Sequence, residues 1–240
     1  MDIKIQNISH NYHNAHPLSL NNLSLEIKSG TKHGVFGSNG AGKSTLIKII
    51  CKVITPTSGS VEFARNGQSI TDKTIIKQNV GYVPQDFAFY EELTVLQNAK
   101  YFGTMFNLSK VQINEQYENL VEVFGLQAHL KKKVKTFSGG MKRKVNLILG
   151  LLHNPELIIL DEPTVGIDVH SKNDILNYLN ELHKMGKTII YSSHQMNESE
   201  SFCENFSLLH EGENIVTGNL EEILLHQKKT NLEAILLDRG

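Results

Sequence analysis

The pattern of apolar and polar positions divides the chain into short strands and longer helices. Apolar and polar residues alternate over Leu23–Ile27, as in a strand with one buried face. Leu157–Leu160 is apolar throughout and Thr188–Tyr191 almost so, which is typical of parallel strands buried on both faces. Between Leu93 and Leu130 the apolar positions recur at helical spacing instead.

The order of these elements predicts an α/β fold in one domain. Strands and helices alternate along most of the chain, which favours a mainly parallel sheet flanked by helices. Residues 88–155 are predicted to form a helical insertion between core strands. Near the end, Phe206–Val216 with a turn at Gly212 is typical of a β-hairpin, and Leu220–Gln227 predicts a closing helix.

The composition is that of a folded protein without a dominant charge. The 240 residues are 40% apolar and 20% charged, with a formal net charge of −1, so we expect a packed core rather than disorder. This balance argues against a surface built as a whole to hold nucleic acid. No run approaches the roughly 20 apolar residues that cross a bilayer, and the N-terminus lacks a signal-peptide pattern. We therefore expect any membrane-crossing part to come from another chain.

A glycine-rich segment after a short apolar strand predicts a phosphate site. Gly37–Ser44 matches the pattern G-x-x-x-x-G-K-[ST]. Glycines let the backbone wrap so that its N–H groups point at phosphate oxygens, and the following helix adds its positive dipole end. In such loops the lysine, here Lys43, reaches the β- and γ-phosphates, and the hydroxyl, here Ser44, binds Mg²⁺. The alternative is an accidental glycine-rich turn, which the flanking strand and helix disfavour.

Two carboxylates follow the buried strand Leu157–Leu160. Asp161 is placed to hold the Mg²⁺ shell, and Glu162 to polarise an attacking water. Ordinary carboxylates at a strand end are the alternative, but the phosphate loop in the same chain makes this reading weaker.

The segment Phe137-Ser138-Gly139-Gly140-Met141 resembles the signature motif of ATP-binding cassette (ABC) proteins. The other motifs follow in the family's order, and nearly the whole chain is covered. The resemblance implies a P-loop NTPase with ABC-type architecture. This architecture has a mainly parallel core sheet flanked by helices, an antiparallel β subdomain and a helical subdomain. The implied division is a core at about 1–87 and 156–225, a helical subdomain at about 88–155 and a tail at about 226–240.

The same resemblance assigns roles to single residues. Tyr12 would stack on adenine, Gln85 would reach Mg²⁺ and the attacking water, and His194 would contact the γ-phosphate. The implied nucleotide contacts are Tyr12, Gly37, Ser38, Asn39, Gly40, Ala41, Gly42, Lys43, Ser44, Thr45, Ser138, Gly139, Gly140, Asp161 and Asp168. The implied catalytic residues are Lys43, Gln85, Glu162 and His194, and the implied Mg²⁺ ligands are Ser44, Gln85 and Asp161.

In this family the signature turn caps the γ-phosphate of ATP bound to the opposite subunit. The resemblance therefore implies a head-to-tail dimer, either with an identical chain or with a second ABC ATPase, in which Asp168 anchors the loop that crosses the interface. ATP binding would close the dimer and hydrolysis would open it.

Details of the signature resemble export-type ABC transporters. Phe137 stands where the broad family usually has leucine, and Met141 where it usually has glutamine. In that branch the ATPase is a separate chain from a six-helix permease. The resemblance then implies a peripheral protein on the cytoplasmic face of the cell membrane, while the exported substrate stays open.

Other readings remain open at this point. An importer ATPase is one, and a soluble ABC ATPase acting on nucleic acid or ribosomes is another, although the usual insertions of such ATPases are absent. An inactive binding module is disfavoured because the catalytic residues are present. A metal site at His10, His13 and His16 fits no regular ligand spacing. A basic cluster, Lys131–Lys135 with Lys142–Lys144, could meet nucleic acid or anionic lipid but is more often a solvated face.

Overall fold

The computed structural model describes residues 1–12, 18–194 and 200–238. The histidine cluster considered above falls partly outside this range, because His13 and His16 are not among the described residues.

The described chain consists of short strands interleaved with helices. The strands are β1 (Asp2–His10), β2 (Leu20–Ile27), β3 (Lys32–Phe36), β4 (Ser58–Arg65), β5 (Gln68–Ile70), β6 (Val80–Val83), β7 (Leu157–Asp161), β8 (Thr188–Ser193), β9 (Asn205–His210) and β10 (Glu213–Asn219). The helices are α1 (Lys43–Ile50), α2 (Lys73–Asn79), α3 (Val95–Met105), α4 (Lys110–Val123), α5 (Gly139–Leu151), α6 (Val169–Lys184), α7 (Leu220–Gln227) and α8 (Leu232–Leu237).

The chain divides into two compact units. Residues 1–76 and 188–240 form the first, which we call the terminal unit, and residues 77–187 form the second, the central unit. The subdomain limits that the family resemblance implies stay predictions.

The terminal unit contains an antiparallel sheet and a mostly parallel set of strands. The antiparallel sheet has the order β2-β1-β4-β5. Alternation places Ile3 and Ile5 of β1 in the core, and Ile8, which follows a register shift in the pairing with β2, is buried as well. In the second set, β3 is parallel to both β8 and β9, and β10 returns antiparallel to β9. The hairpin expected around Gly212 is therefore present, and α7 has the expected limits.

The central unit contains the parallel pair β6 and β7 together with α3 to α6. All residues of β7 are buried, as its continuous apolar run predicts. The helical stretch from Leu93 is broken into α3 and α4. Capping boxes begin both helices, with Thr94 and Gln97 in the first and Ser109 and Gln112 in the second.

Within the described part of the chain, no helix combines the length and apolar character that a membrane crossing needs. The described residues also contain no group of three or more His, Cys, Asp or Glu side chains arranged to hold a metal ion.

Candidate functional site

In the terminal unit, the phosphate loop Gly37–Lys43 joins the end of β3 to the start of α1. Gly42 caps α1 in a left-handed conformation, with φ of 102°. A Cβ on Gly42 would lie 2.5 Å from the Ser19 carbonyl oxygen. Both observations require glycine at this position, because an L side chain there would be strained and would meet fixed backbone. The sequence pattern therefore reflects the close approach of backbone to backbone.

The Lys43 ammonium lies over the phosphate loop. It donates hydrogen bonds to the Gly37 carbonyl at 2.9 Å and to the Ser38 carbonyl at 3.0 Å, and the residue is only 5% exposed. The first turn of α1, which includes Ser44 and Thr45, carries backbone N–H groups that the helix itself does not satisfy. The loop thus combines a held cation with helix-end donors, which is the donor set that phosphate oxygens require.

The tip of the β9–β10 hairpin packs on the phosphate loop, which the sequence did not indicate. The backbone N–H of Gly212 donates to the Ala41 carbonyl at 3.2 Å, and the Gly212 carbonyl accepts from the N–H of Asn21 at 2.9 Å. The hairpin therefore braces the loop from outside.

Strand register brings His194 to the end of the sheet at which the phosphate loop begins. β3 and β8 are parallel, and Ser193 lies opposite Phe36. His194 and Gly37 are the next residues of the two strands, so they leave the same edge of the sheet. His194 is exposed there. This is the edge at which α/β sheets bind ligands.

Tyr12 follows β1 and presents part of its ring to solvent, with 39% of the residue exposed. Its inner side meets the His10 ring edge-on, with centroids 4.6 Å apart and an interplanar angle of 86°. Its role in adenine stacking stays a prediction.

In the central unit, strand register brings Gln85 and the two carboxylates together. β6 and β7 are parallel with Val83 opposite Leu160, so Pro84-Gln85 and Asp161-Glu162 leave the same edge. The Gln85 amide Nε2 lies 3.4 Å from the Glu162 carboxylate Oε2. Asp161 and Glu162 are 2% and 7% exposed.

The backbone of Glu162 has φ of 49°, in the left-handed region. For a residue other than glycine, such a conformation costs roughly 1–3 kcal/mol and persists only where the surroundings enforce it. The conformation occurs directly after the last residue of β7, where the strand ends.

The signature residues form the start of α5. Ser138 is the N-cap, and its Oγ accepts a hydrogen bond from the Met141 N–H at 3.3 Å. Gly139 is exposed, whereas Gly140 is buried. A Cβ on Gly140 would lie 2.6 Å from Ser171 Oγ, so α5 begins in close contact with α6. A hydroxyl and helix-end N–H groups near an exposed glycine make an anion site.

Asp168 caps α6, with its Oδ1 accepting from the Ser171 N–H at 2.9 Å. That backbone hydrogen bond, followed by one from the Ser171 hydroxyl, lowers the pKa of the Asp168 carboxyl. The side chain therefore stays ionised at neutral pH and fixes the start of the helix.

Arg143 and Asn146 of α5 also belong to this region, although the sequence placed Arg143 only in the basic cluster and did not single out Asn146. Both are buried, and both donate hydrogen bonds to the backbone around Gln85. The residues in contact are separated by 58 to 62 positions in the sequence, so no local motif could predict these hydrogen bonds.

The basic cluster is largely paired with carboxylates. Lys133 and Lys135 form ion pairs with Glu92, and Lys142 forms one with Glu91. These pairs leave less positive charge for nucleic acid or lipid than the sequence alone suggests.

Each unit carries groups of a kind that bind part of a magnesium nucleotide. The phosphate loop and His194 of the terminal unit suit phosphate oxygens. Gln85 and the two carboxylates of the central unit suit a divalent cation. Hydroxyl, amide and carboxylate oxygens are the ligands that Mg²⁺ prefers.

Comparison with known proteins places the chain in a family. The family model described as "ABC transporter" matches residues 20–165. The linearmycin resistance ATP-binding protein LnrL of Bacillus subtilis (strain 168) is 40% identical over 84% of this chain and 64% of its own length. The chain thus spans less than two thirds of that relative. The ABC transporter ATP-binding protein NatA of the same organism is 31% identical over 92% of this chain and 90% of its own.

Solved structures agree with the fold. An ATP-binding subunit of an ABC transporter superposes with a TM-score of 0.87 at 27% identity, covering 99% of both chains. The dimeric ATP-binding cassette MJ0796, in a post-hydrolysis state with ADP and Pi, gives a TM-score of 0.79 at 26% identity over 90% of this chain and 98% of its own. The predicted fold class is thereby confirmed.

Proposed function

Because the chain belongs to the ABC transporter family of ATP-hydrolysing cassettes, we propose that it energises export through a separate membrane-spanning permease. The ATP-hydrolysing step of this proposal is carried by the meeting of Gln85 with the buried carboxylate of Glu162 at the ends of two parallel strands. A carboxylate and an amide so placed can orient and polarise a water molecule.

Each proposed role uses a group whose placement is described above. Lys43 and the helix-end donors hold the β- and γ-phosphates, and His194 contacts the γ-phosphate. Glu162 is the general base, and Gln85 positions the attacking water. Ser44, Gln85 and Asp161 would hold Mg²⁺, which neutralises charge on the phosphates when bound.

We further propose that the active form is a dimer of cassettes. Ser138 and Gly139 are exposed at the start of α5, where they are open to a phosphate held by another subunit. The related cassette MJ0796 has been solved as a dimer, which supports this arrangement. The partner cassette is either an identical chain or a second ABC ATPase.

A groove in the central unit supports a permease partner. It has a volume of about 240 Å³, and its walls include Tyr82, Pro84, Phe102, Phe106 and His153. The His153 ring stacks on Phe106 at 3.8 Å and its Nε2 lies 3.0 Å from the Val80 carbonyl. Since a carbonyl only accepts, Nε2 carries the hydrogen and Nδ1 is an acceptor.

The apolar walls of this groove suit a short apolar segment of a partner protein. Phe87 and Tyr90, which follow Gln85 closely, are 41% and 49% exposed and add apolar surface. We assign this surface to a cytoplasmic segment of the permease. The chain would then lie peripherally on the cytoplasmic face of the membrane.

Export rather than import is favoured by the branch-specific signature and by a relative named for linearmycin resistance. The exported molecule would be selected by the permease, so this chain alone does not define it.

The substitution Glu162→Gln tests the catalytic assignment. Because the amide cannot accept the proton of water, we expect kcat for ATP hydrolysis to fall by about 10²-fold or more. Binding of ATP should persist, and the variant with MgATP should elute as a dimer in size-exclusion chromatography. Hydrolysis at the wild-type rate in this variant would refute Glu162 as the base.

Glu181→Gln is the matched control, because Glu181 is an exposed helix residue whose ion pair with Lys184 is solvent-exposed. It should leave hydrolysis unchanged. Purification from detergent-solubilised membranes should recover a polytopic membrane protein, and recovery of only RNA or ribosomes would favour the soluble alternative.

A further inference from the structure

Two buried side chains of α5, those of Arg143 and Asn146, form hydrogen bonds with the backbone at Gln85 and on either side of it. The Arg143 Nη1 donates to the Pro84 carbonyl at 3.2 Å and to the Gln85 carbonyl at 2.8 Å. The Asn146 Nδ2 donates to the Pro84 carbonyl at 2.9 Å and to the Asp86 carbonyl at 3.3 Å, while its Oδ1 accepts from the Ala88 N–H at 3.0 Å. Every peptide from 84 to 86 therefore has a carbonyl hydrogen-bonded to α5.

One of these two side chains, that of Arg143, carries a buried charge. Arg143 is 4% exposed, and burial lowers the pKa of its guanidinium, while Asp86, Asp161 and Glu162 act in the opposite direction. An arginine stays protonated despite such a shift, so its bonds to the carbonyls are charge-assisted and stronger than neutral ones. The guanidinium also lies over the half-exposed ring of Phe87, 5.2 Å from its centroid.

The loop that α5 holds by these hydrogen bonds contacts the proposed catalytic carboxylate through the side chain of Gln85. Gln85 Nε2 lies 3.4 Å from Glu162 Oε2, so a shift of the Gln85 backbone moves the amide relative to the carboxylate. At the other end of the same helix, Ser138 caps the first turn. An α-helix of 13 residues transmits displacement along its length, because each turn is hydrogen-bonded to the next.

We infer that Arg143 and Asn146 are positioning residues that link the signature helix to the catalytic groups of the same subunit. When Ser138 and Gly139 bind a phosphate held by the partner cassette, α5 shifts. The hydrogen bonds from Arg143 and Asn146 then move the Gln85 loop together with the helix. Gln85 and Glu162 then reach their working geometry only in the closed dimer. This inference rests on the proposed function, because it assumes that Gln85 and Glu162 act on ATP.

A purely structural role for these side chains gives a different expectation, and the chain offers a matched control. Lys144 is also a buried cation of α5, and its Nζ bonds to Asp174 Oδ2 of α6 at 2.7 Å. This ion pair anchors α5 to α6 and does not involve the Gln85 loop. Removing either cation should lower stability, but only Arg143 should affect catalysis beyond that.

The test compares Arg143→Met, Arg143→Lys and Lys144→Met in the full-length chain. For Arg143→Met we expect kcat to fall by about 10- to 100-fold, since a small misplacement of catalytic groups has effects of this size, with KM for ATP changed less than about threefold. Arg143→Lys, which keeps the charge and one donor point, should restore part of kcat. Lys144→Met should keep kcat within about twofold once the folded fraction is taken into account. Equal kcat losses in Arg143→Met and Lys144→Met would overturn the inference.

A double-mutant cycle separates action through Gln85 from a general effect. If Arg143 acts by placing Gln85, then Arg143→Met should lower kcat by less than about twofold when Gln85 is already alanine. Fully additive losses would contradict the link. Asn146→Ser provides the same cycle should Arg143→Met fold poorly, and it should likewise be non-additive with Gln85→Ala.

Failure of this inference is distinguishable from failure of the proposed function. A wild-type chain that hydrolyses ATP and is inactivated by Glu162→Gln, but is insensitive to Arg143→Met, would refute only the link. A folded wild-type chain that neither binds nor hydrolyses ATP would refute both.

Discussion

The two units build their sites from different parts of the polypeptide. In the terminal unit, the phosphate loop is one continuous segment made largely of backbone, braced by other backbone at Ser19, Leu209 and Gly212. In the central unit, the site is assembled from three separate segments, which are the Gln85 loop, Asp161-Glu162 and helix α5. Hydrogen bonds of side chains connect these segments. The first kind of site depends on the absence of side chains, the second on their presence.

This difference predicts how each site responds to mutation. A site held by backbone contacts leaves no room for an added methyl group, since backbone cannot rotate aside. A site held by side chains can absorb small volume changes by rotamer adjustment, but loses function when a hydrogen-bonding group is removed. The glycine substitutions below test this contrast, and an acid titration compares the stability of the two units.

Gly42→Ala should have the largest effect. Its Cβ would meet the Ser19 carbonyl at 2.5 Å and a Leu20 methyl at 2.7 Å, and the backbone would be strained at φ of 102°. We expect affinity for a fluorescent ATP analogue to fall by about 10²-fold or more, as for loss of a whole anion site. Gly67→Ala is the control, with a similar φ of 77° but open space around the Cβ, and should leave nucleotide affinity unchanged.

A smaller effect than that of Gly42→Ala is expected from acid, which should lower the stability of both units. Burial lowers the pKa of His33 in the terminal unit, and of His153 in the central unit, from 6.5 to about 4. Between pH 6.5 and pH 4, these two histidines are therefore mostly protonated in the unfolded chain and mostly neutral in the folded chain. The stabilisation is complete above pH 6.5 and is lost as the pH falls towards 4. At pH 5 each histidine should reduce the free energy of unfolding by about 2 kcal/mol.

Urea titrations at pH 7.5 and pH 5 measure this loss. His33→Gln and His153→Gln should each remove one increment of the pH dependence, and the double variant should remove both. An unchanged pH dependence in the double variant would show that other groups cause the acid sensitivity.

Gly140→Ala should have the smallest of these effects. The added Cβ would lie 2.6 Å from Ser171 Oγ and 2.8 Å from Asp168 Oδ2. Both atoms belong to side chains at the cap of α6, and they can move only by disturbing that cap, so we expect a loss of about 1 kcal/mol in the free energy of unfolding. Gly139→Ala, with nothing nearer than 3.9 Å, should cost less than about 0.5 kcal/mol. If Gly140→Ala lowered the free energy of unfolding more than Gly42→Ala does, the contrast between the units would be reversed.

The same difference explains what the sequence could predict. The phosphate loop was recognisable because its residues are adjacent and their types follow from backbone geometry. The hairpin at Gly212 and helix α7 were predicted from local turn and periodicity signals. The break between α3 and α4 was missed, although Ser109 and Gln112 carry a capping signal, because the apolar period continues across it.

Long-range contacts left no comparable signal. Arg143 and Asn146 resemble ordinary polar residues of an amphipathic helix until the fold places the Gln85 loop beside them. Likewise, nothing local shows that Gly212 would contact Ala41. The roles of Tyr12, His194 and the signature residues were inferred from the family resemblance, and the site assignments stay predictions until nucleotide binding is measured.

The hairpin tip at Gly212 has a practical consequence for engineering the protein. Surface hairpin tips are usually the preferred places to insert a fluorescent reporter or an affinity tag. Here an insertion would push on the nucleotide-binding segment that the tip supports. The turn at Asn66–Gly67, which joins β4 to β5 and has open space around Gly67, offers a safer position for such a label.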